Sequence, residues 1–314
     1  MQTVLTRDPI EAAEFIKRGG VVALPTETVY GLGANVFDAV AVGKIFEAKR
    51  RPADNPLIAH VADVEQIGLL ATEVTEKAKR FIDSFFPGPL TIVLPKSAKV
   101  PMIATAGLDT IGVRMPRFAL AQQFLTACGV PVVAPSANLS GRPSPTTWEA
   151  VFEDLDGRID CILQGDSTEI GIESTVVDCT GDVPILLRYG AISLAQLQAV
   201  VPQTRAFNTS DIETERSPGL RHRHYSPRAM VVLVDYKSEI SNHKGGAAYI
   251  GLKKPNKTFE IERVCGSVEE YAHSVFEFFR ECDRQGIETI YCEVVDESEI
   301  GAALMDRLRR AAED

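Results

Sequence analysis

The sequence predicts a two-domain α/β protein, and three observations carry that prediction. Its 314 residues exceed the roughly 250–300 residues at which a single hydrophobic core usually stops growing. Helical and strand-like segments alternate along the chain, and successive strands in the first part favour a mixed sheet. Residues 201–228 lack apolar periodicity. We therefore expect a domain at 1–205, a linker at 206–228 and a small Rossmann-like α/β domain at 229–314.

Capping residues and apolar runs define the first elements. An Asp-Pro dipeptide at 8–9 starts a helix that a glycine pair ends at 19–20. The apolar run at 21–24 is predicted as a strand, and the polar stretch at 26–35 is predicted as a loop. Asp38 caps a second helix. The same signals therefore divide the first forty residues into alternating helices and strands.

The later elements follow from the same signals. Pro52 disfavours helical geometry at the preceding residue, so the second helix must end near Arg50. Strands are predicted at 57–61, 90–94, 110–114, 130–134, 161–163, 175–179 and 185–188, then at 230–234, 247–252 and 289–294. Helices are predicted at 64–70, 74–85, 118–128, 147–155, 194–200, 268–285 and 299–312. Alternation after residue 229 is typical of a small Rossmann-like unit.

Composition excludes several classes of protein. Hydrophobic residues make up 45% and charged residues 24% of the chain, and no apolar run approaches the roughly 18–20 residues of a membrane helix. The first nine residues lack the apolar segment of a signal peptide. The six cysteines form no Cys-x-x-Cys pair, so we expect no zinc site and a reducing, cytoplasmic location. The net charge of −10 argues against strong direct binding of nucleic acid.

Four cations of the first domain lie at the ends of predicted elements. Lys49 and Arg51 end the second helix, and Arg114 and Arg188 each end a strand. Singly, such residues complement helix dipoles or point to solvent. Ligands of α/β sheets collect at the carboxyl ends of strands, so the four together favour a polyphosphate ligand. The phosphate motifs G-x-x-x-x-G-K-[ST] and G-x-G-x-x-G are absent.

Polar stretches occupy similar positions. The stretch PSANLSG at 135–141 follows a predicted strand and offers hydroxyl, amide and backbone donors, although the same residue types also make turns. His60 ends another strand, and no second histidine in this domain could complete a metal site. Glu173 and Ser174 open a third strand, where polar residues need no functional explanation.

Seven stretches together resemble one known family. Along the chain they are LPTETVYGLG (24–33), KRRP with NPL (49–52 and 55–57), FPGPLT (86–91), GVRMP (112–116), PSANLSG (135–141), STVVD (174–178) and LRYG (187–190). They resemble the signatures of threonylcarbamoyl-AMP synthases, which are built on the YrdC-like domain. SPGL (217–220), HYSP (224–227) and GAALMDRL (301–308) resemble the linker and C-terminal end of the long, two-domain form.

The resemblance implies an activity and a fold. Such an enzyme makes L-threonylcarbamoyl-AMP from L-threonine, bicarbonate or CO2, and ATP, and it releases pyrophosphate. The product would pass to a complex that transfers the threonylcarbamoyl group to tRNA. The implied fold is a twisted mixed sheet with a concave active-site face. Mg2+ would be held by phosphates and water rather than by protein ligands, and no membrane partner is expected.

The same resemblance implies roles for particular residues. Lys49 and Arg51 would be catalytic. ATP would be bound by Lys49, Arg51, Asn55, Ser136, Asn138, Ser144, Arg188 and Tyr225. Threonine would be bound by Thr28, His60, Arg114, Ala134 and Ser174. A guanidinium suits the threonine carboxylate, and the basic stretch at 216–228 would close over the nucleotide as a lid that excludes water.

Alternative functions remain open at this point. An RNA- or ribosome-associated binding module would use the concave face without catalysis, although the negative charge and the lack of interleaved aromatic and basic residues disfavour it. The related carbamoyltransferase of hydrogenase maturation carries zinc-finger Cys-x-x-Cys pairs that this chain lacks. The second domain could bind a separate ligand or form an oligomer interface, and the sequence does not decide between these.

Overall fold

Two sheets organise the computed structural model of the protein, which describes residues 2–52, 54–207, 225–235 and 246–313. Within these ranges an eleven-stranded mixed sheet spans residues 4–206, and a four-stranded parallel sheet spans residues 230–293. The predicted fold class, a mixed-sheet domain followed by a small parallel α/β domain, is confirmed. Most of the predicted lid, residues 216–224, lies outside the described residues.

The elements of the first part surround the large sheet. Its strands are β1 (Val4–Thr6), β2 (Val22–Leu24), β3 (Gly31–Asn35), β4 (Ile58–His60), β5 (Leu90–Pro95), β6 (Thr110–Arg114), β7 (Val132–Val133), β8 (Cys161–Leu163), β9 (Thr175–Asp178), β10 (Ile185–Arg188) and β11 (Arg205–Ala206). Its helices are α1 (Pro9–Lys17), α2 (Ala39–Lys49), α3 (Ile67–Leu70), α4 (Glu76–Phe85), α5 (Ala119–Cys128), α6 (Trp148–Leu155) and α7 (Leu194–Val200), with a 3-10 turn at Met102–Thr105.

The strand order brings distant residues to one edge of the sheet. The order is β1-β8-β2-β3-β7-β4-β6-β5-β9-β10-β11. Strand β6 is parallel to β4 and antiparallel to β5, and β9 is parallel to β5 and antiparallel to β10. The carboxyl ends of β4, β6 and β10 therefore meet the amino ends of β5 and β9. This register places His60, Arg114 and Arg188 at the same edge as Ser174, which precedes β9.

The prediction of a polar loop at 26–35 is wrong in its second half. Residues Gly31–Asn35 form β3, which pairs antiparallel with β2 and β7. Glycine disfavours strands, but here it permits close packing, since a Cβ on Gly33 would lie 2.7 Å from Val132 Cγ1. Sequence reasoning also missed β1, β11 and β14, which lie at sheet edges. Edge strands bury few apolar residues, so their signal is weak.

The second domain is a small parallel sheet covered by two helices. Strands β12 (Met230–Val234), β13 (Ala247–Gly251), β14 (Ile261–Val264) and β15 (Thr289–Glu293) pair in the order β12-β15-β13-β14, all parallel. Its helices are α8 (Val268–Gln285) and α9 (Ile300–Ala312). In the described part of the chain no helix has both the length and the apolarity to cross a bilayer.

The two domains share apolar packing. The main core of the second domain contains aromatic residues of α8, and it also includes Val29 and Ile172 from the first domain and Tyr225 from the linker end. Gly171 lies so close to α8 that an added Cβ would come within 2.4 Å of His273 Cα. The His273 ring lies 2.8 Å from the Thr168 carbonyl oxygen. The second domain is therefore packed directly against the strand-end loops that carry the site.

Candidate active site

A concave cleft lies where the strand ends of the large sheet meet the loop at 135–144. Eleven of the thirteen residues predicted to bind ATP or threonine line it. They are Thr28, Arg51, His60, Arg114, Ala134, Ser136, Asn138, Ser144, Ser174, Arg188 and Tyr225. Lys49 and Asn55 do not line the cleft in this structure. The fold thus brings together residues that are separated by up to about two hundred positions in the sequence.

Arg114 is held by a buried ion pair on one side of the cleft. Its Nη2 lies 2.8 Å from Oε1 of Glu27, and the two side chains are 4% and 0% exposed. Its Nη1 donates to Thr28 Oγ1 at 2.8 Å, and its Nε donates to the Gly88 carbonyl at 3.3 Å. Each terminal nitrogen carries a second N–H that can serve a ligand. Sequence reasoning missed Glu27, whose only signal was its position between the two threonines of the first motif.

His60 sits beside Arg114 as a neutral imidazole. Burial, with a further contribution from the Arg114 charge, lowers the pKa of His60 from 6.5 to about 3. Its Nδ1 lies 3.2 Å from the Ile58 carbonyl oxygen, an acceptor that favours the tautomer with the proton on that nitrogen. The ring therefore offers a cleft ligand hydrogen bonding without a second positive charge.

Ser174 joins this side of the cleft to Arg188. The Arg188 Nε donates to the Ser174 carbonyl at 3.0 Å, and its Nη2 donates to Ser174 Oγ at 3.1 Å. Ser174 Oγ also shares a hydrogen bond of 2.8 Å with Thr91 Oγ1. Burial lowers the pKa of Arg188, but a guanidinium stays charged at neutral pH. Arg188 thus supplies positive charge between the Ser174 side of the cleft and the opposite loop.

Lys49 supports the 135–144 loop from behind. Its Nζ donates to the carbonyl oxygens of Ser136 and Asn138 at 2.6 and 2.5 Å. Ser136 Oγ donates to Asn138 Oδ1 at 2.6 Å, and Asn138 Nδ2 donates to the carbonyls of Leu139 and Arg142, both at 2.8 Å. Burial lowers the pKa of the Lys49 ammonium well below its ordinary value. The loop is therefore hydrogen-bonded internally before any ligand binds.

Arg51 presents an unsatisfied donor at the cleft. Arg50 ends α2 in the left-handed conformation, with φ of 50°, which turns the chain so that Arg51 follows on the cleft side. The Arg51 Nη2 donates to the Asn55 carbonyl at 3.3 Å, whereas its buried Nε has no hydrogen-bond partner in the parts of the chain that the structure describes. Burial lowers the pKa of Arg51 to about 10. This guanidinium N–H can therefore donate to a ligand in the cleft.

Glu173 lines the cleft, whereas the sequence suggested it only as a polar strand end. Its Oε1 accepts from Ser144 Oγ at 2.5 Å, and its Oε2 accepts from Arg307 Nε at 2.9 Å. Burial by itself would raise the pKa of Glu173, but the charges of Arg307 and Arg188 and the bond from Ser144 lower it. Glu173 therefore remains an anion that is fully engaged by the protein.

Tyr225 closes one wall of the cleft from the end of the linker. Its ring stacks on Phe276 of α8 with centroids 5.4 Å apart, and the Arg307 guanidinium carbon lies 5.3 Å from its ring centroid. Its φ of 68° is left-handed, which a tyrosine rarely adopts. The next residue, Ser226, donates its backbone N–H to the Gly141 carbonyl at 2.9 Å. The linker end is thus fixed between α8 and the 135–144 loop.

The cleft residues do not form a metal site by themselves. Across the described ranges, no group of three or more His, Cys, Asp or Glu side chains could hold a metal ion. The acidic residue of the described cleft lining is Glu173, and its oxygens are bound by Ser144 and Arg307.

The fold and the cleft define an α/β protein with a site for a phosphate-bearing ligand. A mixed α/β sheet carries buried guanidinium groups, a hydroxyl- and amide-rich loop and a neutral histidine around one cavity. Such a site fits a phosphate-bearing ligand beside a small polar one. Because Arg51, Arg114 and Arg188 come from three separate segments, the site is unlike a glycine-rich phosphate loop.

Comparisons with known proteins agree with this class. A family model described as "Telomere recombination" matches residues 14–190, and one described as "Threonylcarbamoyl-AMP synthase, C-terminal domain" matches residues 192–313. The threonylcarbamoyl-AMP synthase of Pyrococcus abyssi is 44% identical, over 96% of this chain and 93% of the relative. That of Bacillus subtilis is 40% identical, over 98% of this chain and 94% of the relative.

A solved structure matches the fold over nearly its whole length. The crystal structure of P. abyssi Sua5 complexed with L-threonine superimposes with a TM-score of 0.90 and 42% identity, covering 99% of this chain and 97% of that chain. The chain therefore belongs to the threonylcarbamoyl-AMP synthase family, in its two-domain form. The family and the enzymatic function predicted from the sequence motifs are confirmed.

Proposed function

We propose that this chain condenses L-threonine, bicarbonate or CO2, and ATP into threonylcarbamoyl-AMP and pyrophosphate. The observation that carries the proposal is one shared cleft. It is lined both by the residues predicted to bind threonine, among them Thr28, His60, Arg114 and Ser174, and by those predicted to bind ATP, among them Arg51, Ser136, Asn138 and Arg188. Such proximity lets a group formed on threonine reach the α-phosphorus of ATP.

Threonine binds at the Arg114 side of the cleft. The second N–H groups of the Arg114 terminal nitrogens receive its carboxylate, since a guanidinium binds carboxylates with two donors. Glu27 holds the guanidinium in place. The hydroxyl of Thr28 and the neutral ring of His60 interact with the polar groups of threonine, and Ala134 and Ser174 complete the subsite. Because His60 adds no charge, Arg114 rather than the histidine attracts the carboxylate.

The chemical steps need positioning more than covalent participation. The threonine ammonium must lose a proton to solvent before its nitrogen attacks CO2, and the nearby Arg114 charge and the dry site favour that loss. As the N–C bond forms, one C–O π bond of CO2 breaks and the nitrogen releases a second proton, which leaves the carbamate anion. The carbamate oxygen then attacks the α-phosphorus, and the bond to the β-phosphate oxygen breaks to release pyrophosphate. Arg51 and Arg188 stabilise the negative charge on the phosphates, as in phosphoryl transfer generally.

The nucleotide lies along the 135–144 loop. Ser136, Asn138 and Ser144 offer hydroxyl and amide groups, the Arg51 guanidinium supplies the buried donor that lacks a partner, and Tyr225 forms a wall. Lys49, predicted as a catalytic and ATP-binding residue, holds the Ser136 and Asn138 carbonyls of that loop and acts on ATP through them. Asn55 supports Arg51 through its carbonyl. Mg2+ enters with ATP, held by phosphate oxygens and water.

The wider biological setting belongs to the same proposal. The unstable mixed anhydride passes to a complex that modifies tRNA. All six cysteines are buried free thiols, which supports a reducing, cytoplasmic location. We place the domain boundaries at 1–205, 206–228 and 229–314.

Pyrophosphate release by the full-length protein tests this proposal. The reaction contains MgATP, L-threonine and bicarbonate, and each is omitted in turn. Release that requires both threonine and bicarbonate is expected, and Arg51→Met should reduce it at least 100-fold. A folded protein that binds ATP but releases no pyrophosphate under any combination contradicts the proposal. That outcome would favour the RNA-binding module, whose affinity for RNA would fall steeply with salt.

A further inference from the structure

Two buried arginines of the second domain reach into the first domain. Arg280 of α8 and Arg307 of α9 are 0% and 1% exposed. A fully buried arginine is rare in proteins unless its charge is paired. The acceptors of Arg280 lie in the first domain, and Arg307 has acceptors there as well as Asp306 Oδ2 on its own helix at 2.6 Å. Exposed pairs across the same boundary, such as Arg284 with Glu153, already join the two domains without burying a charge.

Arg280 holds the middle of the 135–144 loop. Its Nη2 donates to the Pro143 carbonyl at 2.6 Å and to Asp154 Oδ2 at 2.9 Å, and its Nη1 donates to Asp154 Oδ1 at 3.2 Å. Asp154 is the link to the rest of the loop, because Oδ2 accepts from the Leu139 backbone N–H at 3.2 Å and Oδ1 accepts from Arg142 Nη1 at 2.5 Å. Arg142 itself lines the cleft.

Arg307 holds the end of the same loop. Its Nε donates to Glu173 Oε2 at 2.9 Å, and its Nη2 donates to the Tyr189 carbonyl at 3.0 Å. The other oxygen of Glu173 accepts from Ser144 Oγ at 2.5 Å. The Arg307 guanidinium also lies over the Tyr225 ring. One side chain of α9 therefore reaches three groups that line the cleft or adjoin it.

We propose that Arg280 and Arg307 are positioning residues that hold the 135–144 loop in its nucleotide-binding geometry. The identity of the nucleotide as ATP rests on the proposed function. Movement of the loop would break the bonds that Asp154 accepts from Leu139 and Arg142 and the bond that Glu173 accepts from Ser144, and it would leave buried polar groups without partners, which costs free energy. The second domain thus prepares the ATP side of the cleft before ATP binds, which lowers the ordering cost of binding.

The first test replaces the Arg280 pair without leaving a buried charge. In Arg280→Met with Asp154→Asn, hydrogen exchange of the 136–142 amides in the ligand-free, full-length protein should rise at least tenfold. The Kd of ATP, titrated without threonine, should rise at least tenfold, while the Kd of threonine stays within threefold. Arg309→Met is the matched control, since Arg309 forms an exposed pair with Glu297 at 49% and 52% exposure and should change neither quantity.

A milder variant covers the case in which the double variant fails to fold. Arg280→Lys keeps the charge beside Asp154 but cannot make both contacts, so exchange and the Kd of ATP should each rise at least threefold. Unchanged loop exchange and ATP affinity in a folded variant overturn the proposal, even where the unfolding midpoint falls. A wild-type protein that binds no ATP would instead refute the proposed function, and loop exchange would still decide whether the arginines hold the loop.

Discussion

The ion pair between Arg114 and Glu27 should contribute both to the stability of the fold and to threonine binding. Variants that separate these two contributions test this prediction. In Arg114→Met the cleft loses a cation, and Glu27 becomes a buried carboxylate without its partner. The structure gives the pair a separation of 2.8 Å and exposures of 4% and 0%. Removing one member of such a pair costs about 3–5 kcal/mol of unfolding free energy.

The double variant Arg114→Met with Glu27→Gln removes both charges. Because no buried charge then lacks a partner, its unfolding free energy should return to within about 2 kcal/mol of wild type. Threonine binding should not recover, since its carboxylate has lost the guanidinium. Loss of one member of a buried charged hydrogen bond costs about 2–5 kcal/mol. At 1.4 kcal/mol per factor of ten, the Kd of threonine should rise about 30-fold to several thousand-fold.

Two measurements check this reasoning. Urea denaturation gives the unfolding free energy, and calorimetric titration gives the Kd of L-threonine. Arg117→Met is the matched control, because Arg117 pairs with Glu169 on the surface at 48% and 49% exposure and should change stability by less than about 1 kcal/mol. If the double variant binds threonine as well as wild type, Arg114 does not receive the carboxylate. If it remains as unstable as the single variant, the buried charge of Glu27 is not the cause.

Three further predictions follow from the same structure. The pKa of His60 is lowered from 6.5 to about 3, so the unfolded chain binds a proton that the folded chain does not. As the pH falls from 6.5 to 3, the free energy of unfolding should therefore fall by up to about 1.4 kcal/mol for each pH unit. In urea titrations, His60→Gln should remove that part of the pH dependence. Gly33→Ala should destabilise the protein by about 1–3 kcal/mol, because the new Cβ would lie 2.7 Å from a methyl group of β7. Gly68→Ala is the control: its Cβ would meet open space, so this variant should be neutral or stabilising in the same urea assay. Lys49→Met should raise the Kd of ATP at least tenfold by releasing the loop carbonyls, whereas Lys44→Met, which loses an exposed bond to a backbone carbonyl, should leave the calorimetric Kd unchanged.

Each of these has a contrary outcome. An identical pH slope in wild type and His60→Gln would mean that the histidine titrates normally in the folded protein. Equal unfolding midpoints for the two glycine variants would show that β3 and β7 tolerate a wider separation. An unchanged Kd in Lys49→Met would leave the lysine without a part in nucleotide binding.

Local signals in the sequence were sufficient for most regular elements. Asp38 caps α2 through its side chain, and Ser267 caps α8 in the same way, and the long amphipathic helices of the second domain lie where the pattern predicted them. Capping and periodicity act over a few residues, so a single sequence reveals them. Strand β3 was missed because its glycines are needed for close packing against β7, a strand about one hundred residues away in the sequence.

The sequence by itself determined the family, the two-domain order and most of the residues that line the cleft, because these depend on residue types in short, ordered motifs. Only the tertiary structure decided how those residues are supported. Three buried ion pairs give this support, and their members lie between 87 and 134 positions apart in the sequence: Glu27 with Arg114, Asp154 with Arg280, and Glu173 with Arg307. Burying a charge without its partner costs several kcal/mol. Strand order and domain packing determine whether the partner is in place.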